Sequence, residues 1–204
     1  MKNTIITISR QHGSGGREIG RKLAGQLGIP FYDNEIITAA AKASGYAEEI
    51  FHNAEQQGAG SLLFSLSMFS SSGGSAGMPL SDRVFLIQSD VIKKMAAEGD
   101  GIFVGRCADY VLGDSKELNC INLYVYSDFD KRVARAIEEY HLDKSKAADT
   151  VRKMDKKRAA YYEYYTGNKW GRAENYHLSI NSGIIGTENS VSLIKSFVEL
   201  IKDK

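Results

Sequence analysis

The chain has 204 residues, 43% hydrophobic and 25% charged, with a formal net charge of +1. That length fits one domain of ordinary size, or one core carrying a flap, and the composition excludes disordered and membrane classes. With no general basic excess to attract nucleic acid, any anion binding must rest on local clusters.

The opening run NTIITIS is β-branched and bounded by polar residues, which predicts a buried strand over 4–9. Over 14–27 the apolar residues Ile19, Leu23 and Leu27 recur every four positions, one face of a helix that Gly28 and Pro30 close. PFYD reads as a second short strand. A helix over 34–43 and a weaker helical stretch over 47–57 follow. Residues 58–79 are rich in Gly and Ser around an apolar centre (Leu62, Leu63, Phe64, Leu66, Met68, Phe69) that must be buried against the core, a ligand or another subunit. Such a segment fits a lid, and equally an insertion docked on the core.

A helix over 81–98 leads into DGIFVGR, a third strand ending at Gly105, and CINLYVYS is a fourth. Ser127 and Asp130 resemble a capping box opening a helix to 140, with Phe129, Val133, Ile137 and Tyr140 on one face. A longer helix over about 144–165 carries Val151, Met154, Tyr161 and Tyr165. YHLSIN is a fifth strand, and Val191, Ile194, Val198 and Ile201 mark a closing helix. Strands alternating with helices mean a parallel α/β sheet covered on both faces.

The first apolar run soon meets Arg10, too short for a secretory signal or a membrane span. Two unpatterned cysteines, Cys107 and Cys120, fit a reducing compartment, so the cytoplasm is the expected location. The four histidines lack metal-ligand spacing, and no Ser or Cys nucleophile motif is present.

The stretch ISRQHGSGGREIGRKLA, residues 8–24, places a glycine-rich turn between the first strand and the first helix. Its backbone N–H groups and the positive end of the helix dipole make an anion site. Gly13, Gly15 and Gly16 permit close approach to phosphate oxygens. A dinucleotide loop, G-x-G-x-x-G, matches at Gly13 and Gly15, and Asp33 ends the second strand as that motif asks, but Glu18 occupies the third glycine position. A mononucleotide loop, G-x-x-x-x-G-K-[ST], matches at Gly15, but its lysine position holds Gly16 and its hydroxyl position falls at Arg17 or Glu18. Neither template is met by the loop alone.

Taken with the downstream stretches VGRCADYVL, DKRVARA, KKRAAYYEYYTGNKW and NYHLSIN, the loop closely resembles the cytidylate kinase-like family, a branch of the P-loop nucleoside monophosphate kinases. The resemblance implies a P-loop NTPase fold: a three-layer α/β/α domain with a five-stranded parallel sheet. Its core would be 1–33, 99–127 and 175–204, its monophosphate-binding flap 34–98 and its helical lid 128–174. It implies transfer of the γ-phosphoryl group of ATP, with Mg²⁺, to a nucleoside monophosphate such as CMP or dCMP. In that family a GRD follows the third core strand; here Gly105 and Arg106 match, and Cys107 stands at the acidic position. Thr38 and Ala39 occupy the region where an acceptor-side arginine is expected.

Phosphoryl transfer mainly requires two anions held in line and their charge neutralised. Arg17, one position past the lysine site, is expected to reach back to the β- and γ-phosphates, with Arg10 at the loop entrance as the competing cation. The donor site is then Arg10, Gly13, Ser14, Gly15, Gly16, Arg17 and Glu18, the last also a candidate Mg²⁺ contact. Arg106, at the carboxyl edge of the sheet, suits a forked phosphate contact; Asp33 and Asp109 complete the acceptor set. Arg132, Arg152 and Arg158 match the family lid and are expected on the transferring phosphate, Asp155 orienting Arg152 and Arg158. Arg135 shares the helix face of Arg132. Trp170, in a polar loop, fits packing or stacking equally. The expected partner is a small nucleotide, without nucleic acid or membrane, and a homodimer is compatible. Two other readings stand beside this one: a nucleotide-binding regulator that lost turnover with its lysine, and a dinucleotide-dependent oxidoreductase.

Overall fold

The computed structural model describes residues 2–57, 78–113 and 115–201. Most of the Gly/Ser-rich segment, and its apolar centre, therefore lies outside the described residues.

The β-branched first run forms strand β1 (Asn3–Arg10), which sits in mid-sheet. β1 pairs in parallel with β3 (Gly101–Val104) on one side and β4 (Leu118–Tyr126) on the other. The short β2 (Phe31–Tyr32) and β5 (Leu178–Asn181) form the edges, giving the order β2-β3-β1-β4-β5, parallel throughout. A dinucleotide-binding sheet runs 3-2-1-4-5. Insertion of β3 between β2 and β1 therefore tells against the oxidoreductase reading.

Alternation along β1 sends Ile6 and Ile8 to one face and Ile5 to the other, all fully buried. Each such side chain contributes about 1.5–3 kcal/mol on leaving water. On the first face they meet Ile19 and Leu23 of α1 (Gly16–Leu27) and Val191, Ile194 and Val198 of α8 (Ser182–Ile201). On the second, Ile5 and Phe103 meet Ile36 of α2 (Asn34–Ser44), Ile92 of α4 (Leu80–Glu98) and Leu112 of α5 (Ala108–Gly113). α2 and α4 share a further cluster with α3 (Glu48–Gln57) around Phe51. The chain is a three-layer α/β/α sandwich.

Two helices differ from expectation. α6 (Phe129–Glu138) is capped by Asp128, one residue later than the capping box requires, and no side chain closes the cap. The Ser127 N–H is instead donated to Gln11 Oε1 at 3.2 Å. The buried positions of α6 are Arg132 and Ala136, not the stripe through Val133 and Ile137. α6 packs against α7 (Ala147–Thr166), whose Asp155 carboxylate meets the guanidinium of Arg132 together with the Ser127 and His12 carbonyls.

Candidate active site

The carboxyl ends of the parallel strands bring Arg10, Asp33, Arg106 and Ser182 to one edge, where open α/β sheets take ligands. Between β1 and α1 the turn passes through Gly13 and Gly15, with φ of +79° and +75°, conformations that disfavour a side chain. The Ser14 N–H and hydroxyl are both donated to the Gln11 carbonyl, at 3.3 and 2.9 Å, and the Ser182 hydroxyl is donated to the Ser14 carbonyl at 2.6 Å. Ser14 therefore shapes the turn with its side chain. The N–H groups of Gly16, Arg17 and Glu18 open α1 without partners in their own helix, which makes the turn an anion site.

The cations are not arranged as the sequence suggested. Arg17 is about half exposed and turns to Asp33, Nε to Oδ2 at 2.5 Å, instead of reaching back over the loop. An exposed arginine beside a buried carboxylate gains more from that ion pair than from an open turn. Asp33 also accepts from Arg106 Nη1 at 3.2 Å. Burial works to raise the pKa of Asp33, but the charges of Arg10, Arg106 and Arg17 outweigh it and hold the carboxyl below its ordinary range. The guanidinium of Arg10 lies over Gly105, in space that any side chain there would fill. Arg106 is buried, with an unusual φ of +54°.

Of the three arginines expected on the transferring phosphate, Arg132, Arg152 and Arg158, the last lines the cleft; its Nη1 donates to the Arg10 carbonyl at 3.0 Å. Arg132 is buried, donating to the Ser127 and His12 carbonyls and to Asp155. Arg152 is exposed, paired with Asp149 at 3.4 Å and lying over the Phe129 ring. Asp155 accordingly holds Arg132, and its other oxygen accepts the His12 N–H at 2.7 Å. Glu18 is clamped between Lys22 and Arg135. Burial raises its pKa, but the Lys22 hydrogen bond and the Arg135 charge prevail and lower it.

Two cavities meet at this edge. The larger, about 660 Å³, follows the loop and includes His12, Gly13, Gly15, Gly16, Arg17 and Arg135. The smaller, about 190 Å³, has Cys107, Lys157, Tyr161, Tyr162 and Trp170 in its wall. Arg10, Arg106, Met154 and Arg158 border both. Asp109 lines neither; it accepts the Tyr162 hydroxyl at 2.7 Å, and burial pushes its carboxyl upward.

Sequence reasoning missed Arg135, Met154 and Lys157. Arg135 offered a signal, three residues from Arg132 on one helix, but the pair was read as pointing together. Met154 and Lys157 lie one turn apart on α7, an ordinary spacing that only the position of that helix makes informative.

Among the described residues no cluster of three or more His, Cys, Asp or Glu could hold a metal ion. Glu18 is engaged by two cations and the Ser14 hydroxyl by its own loop, so the turn is built for an anion, not for a bare Mg²⁺. No helix among the described residues is long and apolar enough to cross a membrane.

The fold is shared with solved structures. An uncharacterized protein from Eubacterium ventriosum is 25% identical with a TM-score of 0.72, the match covering 96% of this chain and 98% of that one. TT1252 from Thermus thermophilus gives 15% and 0.56, covering 98% and 99%. Shikimate kinase from Acinetobacter baumannii, solved with shikimate, gives 15% and 0.53, covering 100% and 96%. The architecture is that of the P-loop NTPases. No curated protein matches the sequence significantly. The sequence profile that does match, over residues 5–184, spans the glycine turn, most of β1, the other four strands, α6 and α7, and by it this chain belongs to the cytidylate kinase-like family.

Proposed function

We propose that this protein transfers the γ-phosphoryl group of ATP to a nucleoside monophosphate, with CMP or dCMP as the acceptor. The observation that carries the reading is the pair of cavities sharing Arg10, Arg106 and Arg158. The triphosphate lies along the glycine turn, its phosphates on the N–H groups that open α1. The acceptor phosphate enters the smaller cavity, whose wall holds four cations, Arg10, Arg106, Lys157 and Arg158, and, among the described residues, no carboxylate.

That charge pattern selects the acceptor chemistry. A hydroxyl acceptor needs a base within hydrogen-bond reach of its proton. A phosphate monoester is already anionic and needs only cations to bring it near the γ-phosphate. One of its oxygens forms the new bond to the γ-phosphorus as the bond to the β,γ-bridging oxygen breaks, releasing ADP. The shared arginines take up charge on the migrating group, and their forked donors suit two phosphates at once. Mg²⁺, carried by the triphosphate, would offset phosphate charge. Tyr161, Tyr162 and Trp170 form an aromatic wall suited to the flat base of a small nucleotide.

The test is ADP formation with ATP and a panel of nucleoside monophosphates, with shikimate as the hydroxyl acceptor. Turnover with a pyrimidine monophosphate and none with shikimate is expected. ATP binding without ADP on any acceptor would replace this reading with the regulator.

A further inference from the structure

The geometry points to Arg135 of α6, outside the loop, as the residue that supplies the positive charge of the missing P-loop lysine. The inference rests on the nucleotide reading above and assigns one residue within it.

Three observations converge. Gly15 is the N-cap of α1, and a Cβ built on it would lie 3.3 Å from Arg135 Cζ and 3.5 Å from its Nε. The guanidinium therefore lies directly against the glycine turn, and glycine leaves the room for it. Arg135 also lines the larger cavity together with Gly13, Gly15 and Gly16. Its donors, moreover, are only partly used: Nη2 is donated to Glu18, while Nε is buried without a hydrogen-bond partner. A buried charged donor in that condition calls for an acceptor.

The other two loop cations are committed elsewhere. Arg17 is on Asp33, and Arg10 lies over Gly105 toward the acceptor cavity. Glu18 does not compete with a phosphate for all of Arg135. Lys22 holds the same carboxylate at 2.6 Å and can keep it when the guanidinium turns its remaining edge to an incoming phosphate. An arginine arriving from α6 has a consequence that a loop lysine lacks: the donor site carries its full charge only while α6 is docked on the loop.

The test is calorimetric binding of the β,γ-imido analogue of ATP, with Mg²⁺, to the wild type, Arg135→Ala, Arg135→Lys and Arg17→Ala, each checked by thermal melting. Arg135→Ala should weaken the analogue by about 10- to 150-fold, the range of one charge-assisted hydrogen bond, with CMP affinity little changed. Arg135→Lys should fall between the two, since an ammonium restores charge but not the fork. It also serves as the readable variant should Arg135→Ala fail to fold. Arg17→Ala should lose clearly less than Arg135→Ala. Wild-type affinity in Arg135→Ala, or a larger loss in Arg17→Ala, overturns the assignment. A wild type that binds no triphosphate sinks the nucleotide reading itself, and the two failures are thereby told apart.

Discussion

Asp155 of α7 holds Arg132 of α6, Oδ2 to Nη1 at 2.5 Å, with both side chains largely buried. The same carboxylate accepts the His12 N–H, so one residue ties α6 and α7 to the glycine turn. Removing one partner of a buried pair typically costs about 3–5 kcal/mol, because the other charge is left uncompensated. Arg132 keeps two carbonyl acceptors, so Asp155→Ala should fall at the lower end, about 3 kcal/mol. For a domain of this size that is roughly 6–12 °C in Tm. A melt shifted by less than about 2 °C would show that the pair does not hold the two helices to the loop.

Arg106→Ala should raise the KM for the monophosphate by about 10- to 150-fold, the range of a lost charge-assisted contact, with ATP binding nearly intact. Asp33 retains its ion pair with Arg17, so the carboxylate is not stranded. Trp170, the chain's single tryptophan, lines the smaller cavity, where the proposed acceptor would sit, and supplies a direct readout. Its emission should respond to CMP in the wild type and need far more CMP in the variant. A fall in ATP affinity with unchanged CMP titration would place Arg106 on the donor side.

The sheet, the helix order and the glycine turn were legible because they follow from short-range pattern: β-branched runs, four-residue apolar spacing, and glycines at a strand-to-helix junction. Side-chain direction was not. Arg17 and Arg135 are both arginines near the loop, and nothing in their spacing says that one turns to Asp33 and the other to Gly15. The family resemblance puts Arg132 on the transferring phosphate; only the packing of α6 on α7 makes its position an interior one. The preference of Asp155 for Arg132 over the nearer-in-sequence Arg152 and Arg158 is likewise a tertiary fact.

His12 lies in a setting that keeps its imidazole neutral. Burial is the main cause, and the charges of Arg158, Arg10 and Arg132 add to it while Asp155 opposes, bringing the pKa down to about 4. Between about pH 4 and 6.5 the unfolded chain binds the proton that the folded one refuses. Stability should therefore fall as the pH drops through that window. His12→Gln should remove that part of the acid limb. Proton NMR of the imidazole checks the origin directly: a midpoint near 6.5 would contradict the burial argument.

Asp109 gives the opposite sign. Its buried carboxyl is pushed above the ordinary range, chiefly by desolvation, although the Tyr162 hydroxyl and backbone N–H groups pull it partly back. Above the unfolded pKa the folded chain holds the proton that the unfolded chain releases, so stability falls as pH rises until the folded pKa is passed. Asp109→Asn keeps an oxygen for the Tyr162 hydroxyl and cannot ionise, so it should be more stable than the wild type at pH 7 and show no such gain below pH 4. Tyr162→Phe should be the reverse case. With the carboxylate charged, losing its donor should cost about 1.5–3 kcal/mol, the usual range for a hydrogen bond to a charged group, and less once the carboxyl is protonated. Because Tyr162 also walls the smaller cavity, the proposed acceptor site, the same variant should raise the KM for CMP while leaving triphosphate affinity near its wild-type value. Denaturant titrations across the pH range decide the matter. A cost of Tyr162→Phe that already reaches its high-pH value at the ordinary aspartate pKa would mean that Asp109 ionises there in the folded chain, and the burial argument for it would fail.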